Sequence, residues 1–125
     1  MYRISFYGKK YNIKPVANEI AAISNKLSEI ELSYTDIANA VGECGCTFSP
    51  AVFNGKRNKD NFKEQQLIAL DFDNGAKFSD IKAQADKYGL PILFAYKTFS
   101  YTIEKEKFRI VFALDKVMCD DFTAN

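Results

Sequence analysis

Two aspartates, Asp71 and Asp73, are the residues of this sequence whose type and spacing most clearly suit chemistry. They lie two apart, where the apolar run over residues 66–72 ends and the turn sequence DNG begins. Because side chains alternate along a strand, both carboxylates are expected on one face of a sheet. Adjacent carboxylates repel each other unless a cation lies between them, and Mg²⁺ or Mn²⁺ prefers such oxygen ligands together with substrate phosphates. The pair is therefore a candidate metal-binding and catalytic pair for nucleotidyl transfer, and the alternative is an ordinary turn at a strand end.

A second candidate set of residues is basic. Residues 55–63 read GKRNKDNFK, a polar loop that suits contacts to a phosphate backbone, with Phe53 and Phe62 beside it for base stacking. The candidate DNA-binding residues are Lys56, Arg57, Lys59 and Lys63. Because the net charge of the chain is only +1, a nucleic-acid surface must be a local patch. The alternative is a solvated surface turn.

The composition excludes several kinds of site. The chain has no histidine, which rules out Ser-His and Cys-His nucleophile systems and histidine-containing zinc sites. Cys44 and Cys46 form a C-x-C pair without the further ligands that zinc needs, so they and Cys119 are expected to be free thiols. No apolar segment reaches the roughly 18 residues of a membrane span, and residues 1–5 lack the layout of a signal peptide. We therefore expect a cytoplasmic protein with no membrane partner.

Hydrophobic periodicity and turn signals predict the elements that must position these residues. Strands are predicted over residues 2–7, 66–72, 92–99 and 108–114, and residues 45–53 are expected to be irregular or extended. Helices are predicted over residues 15–27, over 79–88 with Ser79 as the N-cap, and over a short segment that follows the N-cap Ser33. Asp120 is expected to begin a further helix. Buried helix positions are predicted at Val16, Ile20, Ile23, Leu27, Ile37 and Val41.

From residue 66 onward the predicted order is strand, helix, strand, strand and the start of a helix. This order predicts an α+β fold with a ferredoxin- or RRM-like βαββ(α) unit over residues 65–125, in which the last helix and strand are absent or very short. Residues 1–64 are an α/β extension of the same single domain. The strands each have one face of large apolar residues and one of small or polar residues, which favours helices on one side of the sheet and a groove on the other.

Four segments, TFSPAVFNGKRNKDNFKEQQ, LIALDFDNG, LPILFAYKTFS and EKEKFRIVFALDK, follow one another between residues 45 and 121. In their order and spacing they resemble the archaeo-eukaryotic primase superfamily, and in particular the primase–polymerase-like N-terminal domains of replication proteins from phages and mobile elements. The resemblance implies an incomplete primase–polymerase fold. It also implies Mg²⁺ or Mn²⁺ as the cofactor, bound by Asp71 and Asp73 as the metal-binding acidic motif.

The resemblance also implies a nucleotide-binding set, which consists of Lys97, Ser100 and Arg109. Arg109 matches a basic residue that faces the triphosphate, although a solvated charge at a sheet edge is the alternative for this position. The sequence departs from the family pattern in two places. Tyr101 follows Ser100, and the histidine usual near that serine is missing. The third acidic motif is not matched, because Asp115 comes too early in the chain.

Three functions remain open at this point. The first is a metal-dependent DNA primase or polymerase domain of a phage or mobile element, with nucleotides and single-stranded or primed DNA as its partners. The second is a non-catalytic module that binds nucleotides or DNA during replication in a bacterial host cell. The third is a phage-borne interaction protein with another replication protein or a host protein as its partner, for example an inhibitor of a host defence nuclease built on a truncated primase scaffold.

Overall fold

The computed structural model describes residues 1–55 and 57–119, which form two antiparallel sheets and three α-helices. The α+β class predicted from the sequence is confirmed. The elements in chain order are β1 (Tyr2–Tyr7), α1 (Ala17–Lys26), β2 (Ser28–Leu32), α2 (Tyr34–Ala38), a π-helical turn (Asn39–Glu43), β3 (Thr47–Ser49), β4 (Ala51–Phe53), a 3₁₀ turn (Lys59–Asn61), β5 (Phe62–Phe72), α3 (Phe78–Lys87), β6 (Phe94–Lys97) and β7 (Phe108–Cys119).

The larger sheet has the strand order β4-β5-β7-β6. Its two long strands, β5 and β7, pair antiparallel, so that Asp71 lies opposite Arg109 and Phe72 lies opposite Phe108. β6 is also antiparallel to β7. β5 and β6 therefore run in the same direction on either side of β7, and α3 connects them. The strand–helix–strand–strand order expected after residue 65 is present, and the helix expected to begin at Asp120 lies outside the described residues.

The predicted elements of this half have different bounds in the structure, and β5 begins at Phe62 rather than at residue 66. α3 begins at Phe78, and Lys77 rather than Ser79 occupies the N-cap position. The free N–H of Phe78 donates instead to Glu106 Oε1 at 3.4 Å, so the cap comes from a residue that is distant in the sequence. β6 ends at Lys97, because Thr98 begins a turn in which its carbonyl accepts the N–H of Tyr101. β7 is longer than predicted, since after a register shift it also pairs with the start of β5.

The smaller sheet, of order β2-β1-β3, contains a strand that the sequence did not predict. β2 has the sequence SEIEL and follows α1 almost directly. Its residues are mostly exposed, so it lacks the apolar run that marks a buried strand. It is held by five paired residues along β1 and by the exposed Arg3, whose guanidinium contacts Glu29, Glu31 and Glu64.

The main core joins both parts of the chain. Its buried residues are Ile4, Ile37, Val41, Phe48, Leu67 and Val111. These side chains lie between the first half and one face of the larger sheet. The opposite face carries the buried Phe108 and Ile110, and α3 contributes the buried Ala85. The first half thus covers much of the sheet face on which the sequence predicted a groove.

The first two helices test the predicted buried positions. Ser33 is the N-cap of α2 as predicted, since its Oγ accepts the Asp36 N–H at 3.2 Å, and Ile37 and Val41 are buried. α1 differs, because Ile23 is buried whereas Val16 and Ile20 are exposed. α1 therefore covers the core with only part of its apolar stripe. None of the helices over residues 1–55 and 57–119 is long and apolar enough to cross a membrane.

Candidate functional site

Three adjacent strands bring three polar side chains together at one end of the larger sheet. The pairing register places Arg109 of β7 between Asp71 of β5 and Tyr96 of β6. Arg109 binds the Asp71 carboxylate with both arms of its fork, since Nε donates to Oδ1 at 2.6 Å and Nη2 donates to Oδ2 at 3.1 Å. Its third nitrogen, Nη1, donates to the Tyr96 hydroxyl at 3.1 Å. Arg109 is thus oriented from two sides, and bidentate pairing of this kind fixes the plane of a guanidinium.

The surroundings of this trio keep Arg109 charged and Tyr96 neutral. Burial disfavours the charge on Arg109, but the hydrogen bonds and attraction of Asp71 and Tyr96 outweigh it, so the pKa of Arg109 is raised above its ordinary value. Burial raises the pKa of Tyr96 against the opposing influence of Arg109. At neutral pH the trio therefore contains a half-buried cation whose neighbouring carboxylate is 57% exposed.

Asp71 and Arg109 of this trio also line a cavity of about 280 Å³, and four of the residues predicted from the sequence lie in its wall. Asp71, Asp73, Ser100 and Arg109 all line it. They come from the end of β5, from the turn after β6 and from the start of β7, so the strand pairing assembles segments that are separate in the sequence. Lys107 also lines this cavity, and adds a cation that the sequence analysis did not single out.

Two further cavities adjoin this one and share the side chain of Phe99 with it. One has a volume of about 460 Å³ and is lined by Tyr11, Lys97 and Arg109 among others. The other, of about 250 Å³, is lined by Lys14 and Arg57 and by apolar residues of α1. Phe99 lines all three cavities and is 46% exposed. We call this depression of three adjoining cavities the Phe99 groove.

One wall of the groove is formed by the segment between β1 and α1, which is held by its backbone. The Tyr11 N–H donates to the Cys44 carbonyl at 3.2 Å. Gly45 has a φ of 69° and lies so close to the Tyr11 carbonyl that a Cβ at position 45 would overlap it. Only glycine tolerates both the positive φ and this close approach of the backbone. This contact fixes the path of the segment that carries Lys14.

The basic residues that the sequence predicted to share one loop lie in different places in the structure. Arg57 lines the Phe99 groove, and Lys59 lies exposed in the 3₁₀ turn. Lys63 belongs to β5 rather than to a loop, and its Nζ lies 3.1 Å from Glu29 Oε1. Lys56 lies outside the described residues. Of the four lysines and arginines predicted to bind DNA, the structure therefore places Arg57 at the groove.

Asp71 and Asp73 are the carboxylates that the resemblance assigns to a divalent cation. Both oxygens of Asp71 accept hydrogen bonds from Arg109, and the described residues contain no group of three or more His, Cys, Asp or Glu side chains placed to hold a metal. Mg²⁺ and Mn²⁺ need several oxygen ligands, and a guanidinium beside Asp71 repels them. As arranged, these residues do not fit a resident metal. Mg²⁺ or Mn²⁺ at Asp71 and Asp73 stays a prediction, and it requires Asp71 to leave Arg109.

Comparison with known proteins adds no relative. Searches of protein-family models, curated proteins and solved structures found no match to the chain. The geometry of the groove and the resemblance of the sequence motifs are therefore the observations that bear on the function of the chain.

Besides Lys107, three residues of the site were missed by the sequence analysis. Tyr96 was detectable, since it stands two positions before Thr98 in the segment FAYKTFS and its parity places it opposite Arg109 once the strands are paired. Phe99 was predicted only as the last residue of a strand, whereas it follows the end of β6. Lys14 comes from a segment without regular structure, and only the folded chain brings it beside Phe99.

Cys46 does not have the surroundings of an activated nucleophile. Cys44, Cys46 and Cys119 are free thiols, as predicted. Burial, followed by the influence of Cys44, raises the pKa of the Cys46 thiol, and its Sγ lies 3.5 Å from the Gly8 carbonyl oxygen as a weak donor. A raised pKa lowers the thiolate fraction at neutral pH, and the thiolate is the reactive form.

Proposed function

We propose that the chain is a primase–polymerase-like domain of a phage or mobile-element replication protein, and that it binds nucleotides and single-stranded or primed DNA in the Phe99 groove. One observation carries the proposal. Asp71, Asp73, Ser100 and Arg109, which the resemblance selects from three separate segments, line one cavity in the folded chain.

The sheet order supports the fold that this proposal requires. In a ferredoxin-like βαββαβ unit the first and third strands are neighbours, and the last strand flanks the first. β5, β6 and β7 have the first three strand positions of such a unit, and β4 lies beside β5 where its last strand would lie. We infer a ferredoxin-like unit in which a preceding strand takes the place of the final one.

Charge and aromatic exposure support nucleic acid as the ligand of the groove. Its cations are Lys14, Arg57, Lys97, Lys107 and Arg109. Phe99 stands between them with its ring partly exposed. Proteins that bind single strands combine a basic groove with aromatic rings on which bases stack. This combination favours single-stranded DNA, whose bases are free to stack, over a fully paired duplex.

The same residues argue against primer synthesis by this chain acting alone. If the domain is active, it would be a metal-dependent nucleotidyltransferase, in which Asp71 and Asp73 would hold a divalent cation and the cation would supply charge stabilisation at a phosphate. Here Asp71 is paired with Arg109, and the sequence has no histidine near Ser100. We expect no template-dependent incorporation of labelled nucleotides above that of an Asp71→Ala/Asp73→Ala variant. Robust incorporation that is lost in that variant would contradict this expectation.

The binding proposal is tested by fluorescence anisotropy with a labelled single-stranded oligonucleotide at several salt concentrations. Each phosphate contact on a single strand contributes about −0.7 to the slope of log K against log salt, so three or four contacts predict a slope of roughly −2 to −3. Replacing Lys14 and Arg57 by Ala should flatten the slope by about 1.4. The matched control replaces the exposed Lys105 and Lys116, which lie outside the groove, and should leave the slope unchanged.

Failure of this test would favour a second function. If the folded chain does not bind DNA at low salt, the interaction-protein hypothesis leads, and the exposed apolar residues near the start of α1 support it. Ile13, Val16 and Ile20 are exposed at 78%, 59% and 45%. They form a surface for a protein partner such as a replication or host protein. A replication role with either partner would place the protein in the cytoplasm of a bacterial host cell.

A further inference from the structure

A cavity of about 570 Å³ lies on the α3 side of the larger sheet, and Lys97 is the one cation that it shares with the Phe99 groove among the described residues. It is bounded by α3, by β6 and by the segment that joins β6 to β7. Its volume falls within the range of roughly 300–1,000 Å³ that is typical of small-molecule sites. It is thus large enough for a ligand of two or three fused or linked rings.

Much of this cavity is lined by aromatic side chains, and one small side chain lies among the lining residues. The rings of Phe78 and Phe108 meet edge to face with centroids 5.5 Å apart, and Tyr101 also lines the cavity. Ala95 of β6 lines the same cavity and lies opposite Ile110 in the sheet. Because Ala95 has only a methyl group, the space that a larger side chain would fill is open. Aromatic walls around a small residue favour a flat ring, which can stack or pack edge to face.

The rim of the cavity is positively charged. Lys82 and Lys97 line it, and Glu106 is the acid among its described lining residues. The Glu106 carboxylate faces the N-terminus of α3, where it accepts the Phe78 N–H at 3.4 Å, and such an end favours a negative charge. Lys82 has a loose contact of 3.9 Å with Asp86, and Lys97 Nζ lies 4.5 Å from the centre of the Tyr101 ring. Both ammonium groups remain accessible to an anionic ligand.

We propose that this cavity binds a planar aromatic anion, with the rings between Phe78, Phe108 and Tyr101 and the anionic group between Lys82 and Lys97. The apolar body of such a ligand matches the aromatic walls, and its charge matches the rim. A neutral aromatic would gain nothing from the two lysines, and a small inorganic anion would leave the aromatic walls exposed to water. The chemistry of the cavity therefore favours both features in one molecule.

The proposal is tested with 8-anilinonaphthalene-1-sulfonate, an aromatic anion with a flat naphthalene ring system, whose fluorescence rises in apolar surroundings. Titration of the full chain should show saturable binding of one molecule per chain, with a dissociation constant on the order of tens of micromolar. Ala95→Leu should fill the cavity and abolish this binding. Lys97→Ala and Lys82→Ala should each weaken it about two- to fivefold, as expected for exposed charge pairs. Neither lysine variant should change the binding of N-phenyl-1-naphthylamine, the uncharged analogue of the probe.

The chain offers a matched control for the lysine and tyrosine of this site. Lys87 lies over the ring of Tyr88 at 5.7 Å, an exposed pair of the same kind outside the cavity. Tyr101→Ala should weaken probe binding, whereas Tyr88→Ala and Lys87→Ala should not. If circular dichroism shows that Ala95→Leu does not fold, Tyr101→Ala tests the cavity in its place.

Three results would overturn the proposal: no saturable binding, unchanged binding by the folded Ala95→Leu variant, or equal weakening by the Lys87 and Tyr88 controls. DNA binding should be unaffected by Ala95→Leu, because Ala95 lines this cavity and does not line the Phe99 groove. The two proposals can therefore fail independently.

Discussion

Arg3 and Arg109 are both paired with acids on neighbouring strands, yet their surroundings differ in a way that separates a structural role from a binding role. Arg3 lies on the surface among Glu29, Glu31 and Glu64, and its hydrogen bond to Glu64, followed by the attraction of the three acids, raises its pKa. Arg109 is half-buried, has Asp71 as its acidic partner and lines two cavities of the Phe99 groove. The three acids around Arg3 outweigh its single positive charge, so that it does not attract an anionic ligand. Arg109 lies at a cavity wall with a single exposed acid and can bind an incoming anion.

The comparison is most strongly tested by replacing each arginine with alanine. Arg109→Ala should lower the free energy of unfolding by about 1–2 kcal/mol, because it leaves a half-buried tyrosine hydroxyl and a carboxylate without their partner. It should also reduce the affinity for single-stranded DNA by about tenfold or more, as the loss of a charge-assisted contact predicts. Arg3→Ala should cost less stability and leave DNA affinity unchanged. Urea denaturation and anisotropy measure the two effects, and equal losses of DNA affinity would show that the two arginines do not differ in role.

A smaller effect is expected when the two aspartates are compared. The sequence suggested that repulsion between Asp71 and Asp73 would have to be relieved by a cation, but the structure pairs Asp71 with Arg109 instead. Asp71→Asn should therefore lower the free energy of unfolding by about 0.5–1 kcal/mol, a partly exposed pair being worth little more. Asp73→Asn, in the exposed turn, should change it by less than about 0.5 kcal/mol.

Calorimetric titration with Mn²⁺ completes this comparison of the aspartates. If a metal binds where the sequence predicts, both variants lose it. A gain in stability for Asp71→Asn in metal-free buffer would mean that carboxylate repulsion dominates after all.

The smallest expected effect is the pH dependence that Tyr96 contributes. Because the folded-state pKa of Tyr96 is raised above its ordinary value of 10.0, its contribution to stability is complete below pH 10 and is lost as the pH rises through the raised value. Tyr96→Phe should cost about 0.5–1.5 kcal/mol at pH 7 through the lost hydrogen bond to Arg109. Above pH 10 the difference between wild type and variant should shrink, and urea denaturation at pH 8 and pH 10.5 measures it. A difference that grows with pH would mean that Tyr96 ionises more easily in the folded chain.

The sequence predicted the elements that carry strong local signals. Residues 2–7 and the Ser33 cap were placed correctly, because alternation and capping are local properties of the chain. β2 was missed because it is exposed and has no apolar run. The N-cap of α3 was misplaced because its partner, Glu106, lies 28 residues away. Contacts between distant segments are set by the fold and leave no mark on local periodicity.

The candidate site was likewise predictable only where it depends on local properties of the chain. Strand parity identified the face of Asp71 and Arg109, but their mutual pairing depends on the register of β5 against β7, which are joined through α3 and β6. The sequence could not supply this register, since no short turn connects the two strands. The same holds for Lys14, whose place beside Phe99 follows from a backbone contact between distant loops.

That backbone contact has a consequence for how the groove tolerates change. The wall segment is held at Tyr11 by main-chain atoms of Cys44 and Gly45, so its path does not depend on the side chains that follow. Substitutions at positions 12–14 should then alter the charge and shape offered to a ligand without moving the wall. Even an alanine at position 45 would displace the whole wall. A single position without a side chain thus leaves its neighbours free to diversify, which makes this wall a natural place to re-engineer ligand preference.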